Sequence, residues 1–233
     1  MNERDHDNFD EFAKEYQNII NGTLKISGAE RNYFSEYKIK ELLRYERQDA
    51  QMTMLDFGCG DGNSVVYMRE LFPNATLFGT DVSELSIEEA NNKKIPSAQF
   101  KPYNGTVLPY ADNSLDVAFT SMVFHHIAFE HHERLCKEII RVLKPGGRFY
   151  LFEHNPNNPV TRKIVRECEF DHDAILLPSK YSKTLLKTAG FRSLGLTFTL
   201  FYPRHLVFRW LLWTERLLGW VPMGAQYFVR AIK

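Results

Sequence analysis

Nine residues, Leu55-Asp56-Phe57-Gly58-Cys59-Gly60-Asp61-Gly62-Asn63, constrain this chain more than any other stretch. They join an apolar run (Met52, Met54, Leu55, Phe57) to a helix-compatible run from Ser64 to Leu71. That order reads as a strand, a glycine-rich turn and a helix start. Glycine tolerates positive φ and lets backbone come close to a ligand. The start of a helix adds N–H groups with no partner inside it.

Spacing narrows the ligand. A dinucleotide turn needs G-x-G-x-x-G, and counting from Gly58 its third glycine would fall on Asn63. No Lys-Ser or Lys-Thr follows, so the turn is not a phosphate-binding P-loop. The glycines stand at 58, 60 and 62, with Asp56 two residues before them. The second short apolar strand, Thr76 to Thr80, ends at Asp81. An acid about twenty residues past the turn is placed to accept from a ribose diol. Acid-x-Gly-x-Gly-x-Gly resembles the first motif of the class I S-adenosylmethionine (SAM)-dependent methyltransferases. Further along, Asn104-Gly105-Thr106-Val107-Leu108-Pro109-Tyr110 is similar to that family's adenine-edge segment, with Asn104 where Asp is common. Asp112-Asn113-Ser114-Leu115-Asp116 and Arg141-Val142-Leu143-Lys144-Pro145-Gly146-Gly147 are similar to its approaches to strands four and five. The likeness runs motif by motif over about 52–155 and more loosely to the end.

The resemblance implies a doubly wound, mostly parallel seven-stranded sheet with an antiparallel last strand. It also implies SAM as cofactor and S-adenosylhomocysteine as product. The implied cofactor residues are Asp56, Gly58, Cys59, Gly60, Asp61, Gly62 and Asn63 in the turn, with Asp81 and Val82 after strand two. Asn104, Gly105 and Ser121 would complete the site, with Tyr16 from an N-terminal helix folded over it.

A chain of 233 residues with 44% apolar content fits one domain, divided into a helical cap (1–50), a core (51–155) and a C-terminal half (156–233). Twenty-nine cations balance 29 anions, which argues against a nucleic-acid partner. Three cysteines without paired or metal spacing read as reduced thiols of a cytoplasmic protein. The polar stretch Met1–Glu11 is no signal peptide, and no apolar run has the length of a membrane span.

Substrate should be read from what is added to the core. Phe9, Phe12, Tyr16, Ile19 and Ile20 fall at helix spacing. Helices are expected from about Glu133, with Leu135, Ile139 and Leu143 as its apolar stripe, and over Ser182–Ala189. Strand five is expected over Arg148–Glu153, strand six within Phe191–Tyr202 and strand seven over Ala225–Ile232. Between the last two, Pro203–Met223 should hold a helix over His205–Leu218. It is apolar nearly all round apart from a His205, Arg209, Arg216 stripe. It would cover an apolar acceptor, meet a second copy, lie on a membrane surface, or simply pack on the core.

Methyl transfer to a hydroxyl needs an aligned acceptor and a base. His125 and His126 follow strand four, and Glu153 and His154 end strand five. His154 and His125 are the candidate bases, with Glu153 as their orienter. The spacing of His125, His126, His131 and His132 does not suggest a metal, and none is expected. The polar run Glu153–Pro159 reads as a substrate-facing loop. The expected acceptor is a hydrophobic small molecule methylated on oxygen, lipid- or sugar-linked. Carbon methylation of a quinone-like ring and a non-catalytic SAM-binding role are the alternatives.

Overall fold

The computed structural model describes residues 31–168, 174–202, 210–211 and 213–233. Tyr16, the apolar residues around it and most of the expected 205–218 helix, including His205 and Arg209, lie outside them.

Helix α1 spans Arg31–Leu42, followed by β1 (Thr53–Phe57), α2 (Asn63–Leu71), β2 (Thr76–Asp81), α3 (Glu84–Asn92) and β3 (Ala98–Pro102). Then come β4 (Leu115–Ser121), a 3-10 turn at Phe124–His126, α4 (Phe129–Val142), β5 (Leu143–His154) and α5 (Pro159–Glu167). The chain closes with α6 (Ser179–Ala189), β6 (Arg192–Thr199), α7 (Glu215–Leu218) and β7 (Gln226–Ile232). The strands form one sheet in the order β3-β2-β1-β4-β5-β7-β6. β7 runs antiparallel to both neighbours and the remaining pairs are parallel, which is the expected architecture.

Central parallel strands are covered on both faces and so lack a polar face. Leu55, Phe57, Ala118, Phe149 and Leu151 point into one core with Leu135 and Ile139 of α4 and Leu186 of α6. Met54, Val117, Phe119, Tyr150 and Phe152 point into the other, with Ile39 and Leu42 of α1 and Val65 and Met68 of α2. Strand order reverses between β1 and β4, so the C-terminal ends of β1 and β4 flank the crevice where such sheets bind ligands.

Three boundaries differ from the sequence reading by three residues or more. α4 begins at Phe129, because Ala128 is the last extended residue. α6 begins at Ser179, right after Pro178. β5 begins at Leu143, because the glycine-rich turn is a bulge inside the ladder. β4 moves two residues between Leu115↔Leu143 and Val117↔Arg148 while β5 moves five, and Gly146 takes φ +77° within the bulge. Among the described residues no helix is long and apolar enough to cross a membrane.

Candidate active site

The glycine turn is held by backbone before any side chain acts. Gly58 and Cys59 N–H both donate to Thr80 O, at 2.8 and 3.1 Å. Gly58, Gly60 and Gly62 all have positive φ. A Cβ on Gly58 would lie 2.3 Å from Val123 Cγ2, so no larger residue fits there. At Gly60 a Cβ would meet no described atom within 4 Å. The turn is therefore closed toward the protein at Gly58 and, among the described residues, open at Gly60.

Asp81 stands at the end of β2 with its carboxylate fixed. Oδ2 accepts from Gly60 N–H at 2.8 Å and Oδ1 from Ser83 N–H at 3.0 Å. A carboxylate has capacity for further donors. Asp56 is buried, and its pKa is pushed up to about 8, by burial first and then by the negative Asp81, with Lys38 opposing and Asp61 adding. Asp61 pairs with Lys93 Nζ at 2.9 Å. Cys59 is buried, and burial raises its thiol well above the ordinary range. It stays protonated, a small residue beside Gly79 rather than a nucleophile. Asn104 Oδ1 accepts from Thr106 N, Thr106 Oγ1 and Val107 N at 2.8–3.2 Å, so its oxygen closes the turn and its amide nitrogen is the group it could offer a ligand. The next residue, Gly105, has φ +78°, and Val82 follows Asp81 among the residues packed on the core.

Helix α1 lies across this end of the sheet. Asn63 Nδ2 donates to Ser35 Oγ at 2.9 Å. Lys38 Nζ donates to Ser121 Oγ at 2.6 Å, and Tyr37 OH donates to Glu215 Oε2 at 3.0 Å. One helix thus touches the glycine turn, the end of β4 and the segment between β6 and β7.

Across the crevice, His125 Nδ1 and Glu153 Oε2 are 2.6 Å apart and both side chains are fully buried. Glu153 Oε1 accepts from Phe124 N–H at 3.0 Å. Burial pushes Glu153 up, but the charge and hydrogen bond of His125, with His154 and His126 behind them, hold it below the usual carboxylate range. The His126 and His154 rings lie 4.2 and 5.4 Å from the His125 ring, and both are half-buried. The expected trio therefore meets, but unequally: His125 and Glu153 form an internal pair, while His154 and His126 keep access. His132 bonds Phe124 O, Ile127 O and Tyr181 OH, and burial lowers its pKa, so it braces the loop. Among the described residues no three His, Cys, Asp or Glu side chains are arranged to hold a metal ion.

Two residues escaped the sequence reading. His154, Gln226 and Thr199 share one row across β5, β7 and β6, so their side chains face the same way. Gln226 Oε1 and Thr199 Oγ1 are buried with no hydrogen-bond partner among the described residues. A buried polar atom left unpaired is costly, so two of them beside the half-buried His154 make a place for a polar ligand atom. Only a strand-initial Gln before Tyr-Phe-Val hinted at it. The run after Glu153 turned out differently from a substrate-facing loop. Asn155 Nδ2 donates to Pro222 O and Gly224 O. Asn158 Nδ2 donates to Met223 O, and its Oδ1 caps α5. These asparagines clamp the chain's own 222–224 backbone.

Residues 55–151 match the family described as "Methyltransferase domain". The core is a class I methyltransferase domain. A Mycobacterium tuberculosis phthiotriol/phenolphthiotriol dimycocerosates methyltransferase is 29% identical over 108 residues, 46% of this chain and 39% of that protein. A Chlorobaculum parvum demethylmenaquinone methyltransferase is 32% identical over 157 residues, 67% of this chain and 62% of that one. The chain thus spans less than two thirds of the length of the curated relatives it matches. Among solved structures, a Thermotoga maritima SAM-dependent methyltransferase, described as a possible histamine N-methyltransferase, superposes with a TM-score of 0.69. It is 20% identical and covers 97% of this chain and 98% of its own.

SAM is the cofactor of this methyltransferase class, and the donor set fits it. SAM carries a sulfonium and an ammonium, both cationic, and a ribose diol. The turn supplies a glycine that is open among the described residues, the fixed Asp81 carboxylate, and a local excess of acid in which Asp56 is held partly protonated. A pyrophosphate would meet the wrong charge here.

Proposed function

We propose that this methyltransferase domain moves the methyl group of SAM to an oxygen of a hydrophobic, lipid- or sugar-linked small molecule, and that the whole chain works as one cytoplasmic unit. The observation that carries the reading is the contact between the two half-sites. Gly58 of the turn lies against Val123, two residues before the buried His125–Glu153 pair. A cofactor held on the turn and an acceptor held by the histidines would be neighbours.

When bound, SAM supplies an electrophilic methyl group on a positive sulfur, open to in-line displacement. The residues do the rest. Asp81 accepts from the ribose diol, and the Asn104 amide meets the adenine edge. Tyr16, Val82, Gly105 and Ser121 belong to the same proposed site, with Lys38 holding Ser121. Glu153 fixes His125, and that pair orients the neighbouring His154. His154, which keeps access and carries an imidazole, the side chain suited to moving protons near neutral pH, takes the acceptor's proton as the oxygen attacks. Gln226 and Thr199 hold the acceptor's polar group. An exposed apolar side chain next to the histidines favours an apolar remainder: Ile175, whose N–H bonds His125 O.

The named substrates of the two sequence relatives, a long-chain lipid and a quinone, support an apolar acceptor. The second also favours carbon methylation as the alternative chemistry. Labelled-methyl SAM offered with apolar alcohols, phenols, hydroquinones and polyprenyl-linked sugars tests the reading. Label should enter the organic phase on oxygen, as read by mass spectrometry. Label on carbon would favour the quinone-type reaction. Tight SAM binding without transfer to any acceptor would favour the non-catalytic role.

A further inference from the structure

All three tryptophans of the chain lie in one short segment, and all three face solvent. Trp210, Trp213 and Trp220 are 70, 68 and 79% exposed, and Leu217 and Met223 beside them are more than half exposed. Exposed apolar patches of this kind mark a contact surface. The segment's described end, from Gly219 to Ala225, is tied down. Gly219 O accepts from Phe198 N–H on the outer edge of β6 at 2.7 Å, and Ala225 N–H donates to Leu200 O. Met223 O accepts from Asn158 at the start of α5.

Those ties run to the start of α5 and to the edge of β6, and the helices beside both carry one sign of charge. Helix α5 carries Arg162, Lys163 and Arg166, all exposed, against a single acid, Glu167. Helix α6 carries Lys180, Lys183 and Lys187 and no acid. These lysines line a groove with Leu194 and Leu196 of β6, the strand whose Phe198 N–H holds Gly219 O. The acid within the segment, Glu215, is buried. Its carboxylate accepts from Phe201 N–H, Tyr202 N–H and Tyr37 OH, so it shows solvent no charge. A chain of zero net charge thus carries its exposed tryptophans in a segment tied to β6 and to the start of α5, elements flanked by cations.

We propose that this face seats the protein on an anionic lipid bilayer, with the tryptophans at the headgroup level and the α5 and α6 cations on the lipid phosphates. Tryptophan at a wet–apolar boundary next to Lys and Arg is the composition interfacial binding needs. A second copy of the chain fits worse. In a two-fold contact the same patch faces itself, which would bring the cation clusters against one another. The inference deepens the apolar-acceptor reading and rests on it for its purpose: Met223 of this face is bonded through its carbonyl to Asn158, four residues after His154, so a lipid-borne acceptor would come to His154 from the bilayer.

The three tryptophans make the test intrinsic, because the chain's tryptophan emission comes entirely from the patch. The full chain is titrated with phosphatidylcholine vesicles, with and without phosphatidylglycerol, while S-adenosylhomocysteine binding is followed separately. A blue shift is expected with the anionic vesicles, reversed by salt. The Lys180→Gln/Lys183→Gln/Lys187→Gln variant should bind them on the order of a hundredfold more weakly, with S-adenosylhomocysteine binding unchanged. Trp220→Ser should weaken vesicle binding at constant charge. Three results would each overturn the proposal: no shift with anionic vesicles, an equal shift with both vesicle types, or a shift that follows protein concentration without lipid alongside a sedimenting dimer. Transfer to apolar acceptors without vesicle binding would sink the docking face alone. Vesicle binding without transfer would sink the acceptor reading and leave the face standing.

Discussion

The two sides of the crevice are built by opposite means. The β1–β2 side is backbone and short reach. Its turn hangs on Thr80 O, and Asp81 holds Gly60 and Ser83, partners 21 and 2 residues away. The β4–β7 side is side chain and long reach. Glu153 meets His125 28 residues away, Asn155 meets Gly224 69 away, and Tyr37 meets Glu215 178 away. A cofactor that never changes can be held by a local motif. An acceptor site is assembled from whatever distant segments the fold brings together, so it can change without disturbing the turn.

The comparison predicts different failures on the two sides, the largest at the buried pair. Glu153→Ala leaves His125 and Phe124 N–H unmatched inside the protein and should destabilise it by about 3–5 kcal/mol. Glu153→Gln should restore much of the stability while kcat stays low, if Glu153 acts by orienting the histidines. Denaturant unfolding and a kcat-against-KM measurement separate the two effects. On the other side, Gly58→Ala forces a Cβ into Val123 at φ +74° and should cost about 1–3 kcal/mol. It should weaken S-adenosylhomocysteine binding in calorimetry as well, because the turn itself must shift.

A second kind of effect is set by pH. The Asp56 carboxyl has a folded pKa of about 8, above its unfolded value of about 3.9. The folded state therefore holds more protons between those values. The contribution of Asp56 to stability is greatest below about pH 4, falls as pH rises toward 8 and is flat above it. Asp56→Asn should flatten that fall, read as melting temperature against pH without ligand.

The smallest effect on stability separates structure from recognition most cleanly. Thr199→Val and Gln226→Leu remove unpaired buried oxygens, so stability should stay within about 1 kcal/mol of the parent or rise. If these atoms hold the acceptor, its KM should rise several-fold with S-adenosylhomocysteine affinity unchanged. An unchanged KM would confine the acceptor site to the histidine side.

The same contrast explains what could be read from the chain. The glycine spacing, Asp81 and the apolar strands are local patterns, and they give the sheet and its antiparallel seventh strand. The meeting of His125, Glu153 and His154 followed from their places at neighbouring strand ends. Their division into a buried pair and a half-buried partner did not, because strand alternation turns Glu153 and His154 to opposite faces of the sheet and tertiary packing decides which face is closed. Lys38 on Ser121 and Glu215 under Tyr37 carry no local signal. The asparagines of the 155–158 run looked like ligand donors and are clamps, since a polar run shows that partners are needed but not which ones. The Lys144–Gly147 turn became a bulge for a similar reason: Pro and Gly mark a break in geometry, and pairing with β4 fixes whether the strand starts before or after it.

Calorimetric titration of S-adenosylhomocysteine into the wild-type chain and into Asp81→Ala tests the central claim most directly. Binding in the micromolar range that is lost in the variant, with both proteins folded by circular dichroism, is the predicted result. No heat from the folded wild type, or equal affinity in the two, would contradict the assignment of the glycine turn and Asp81 to SAM and the function built on it.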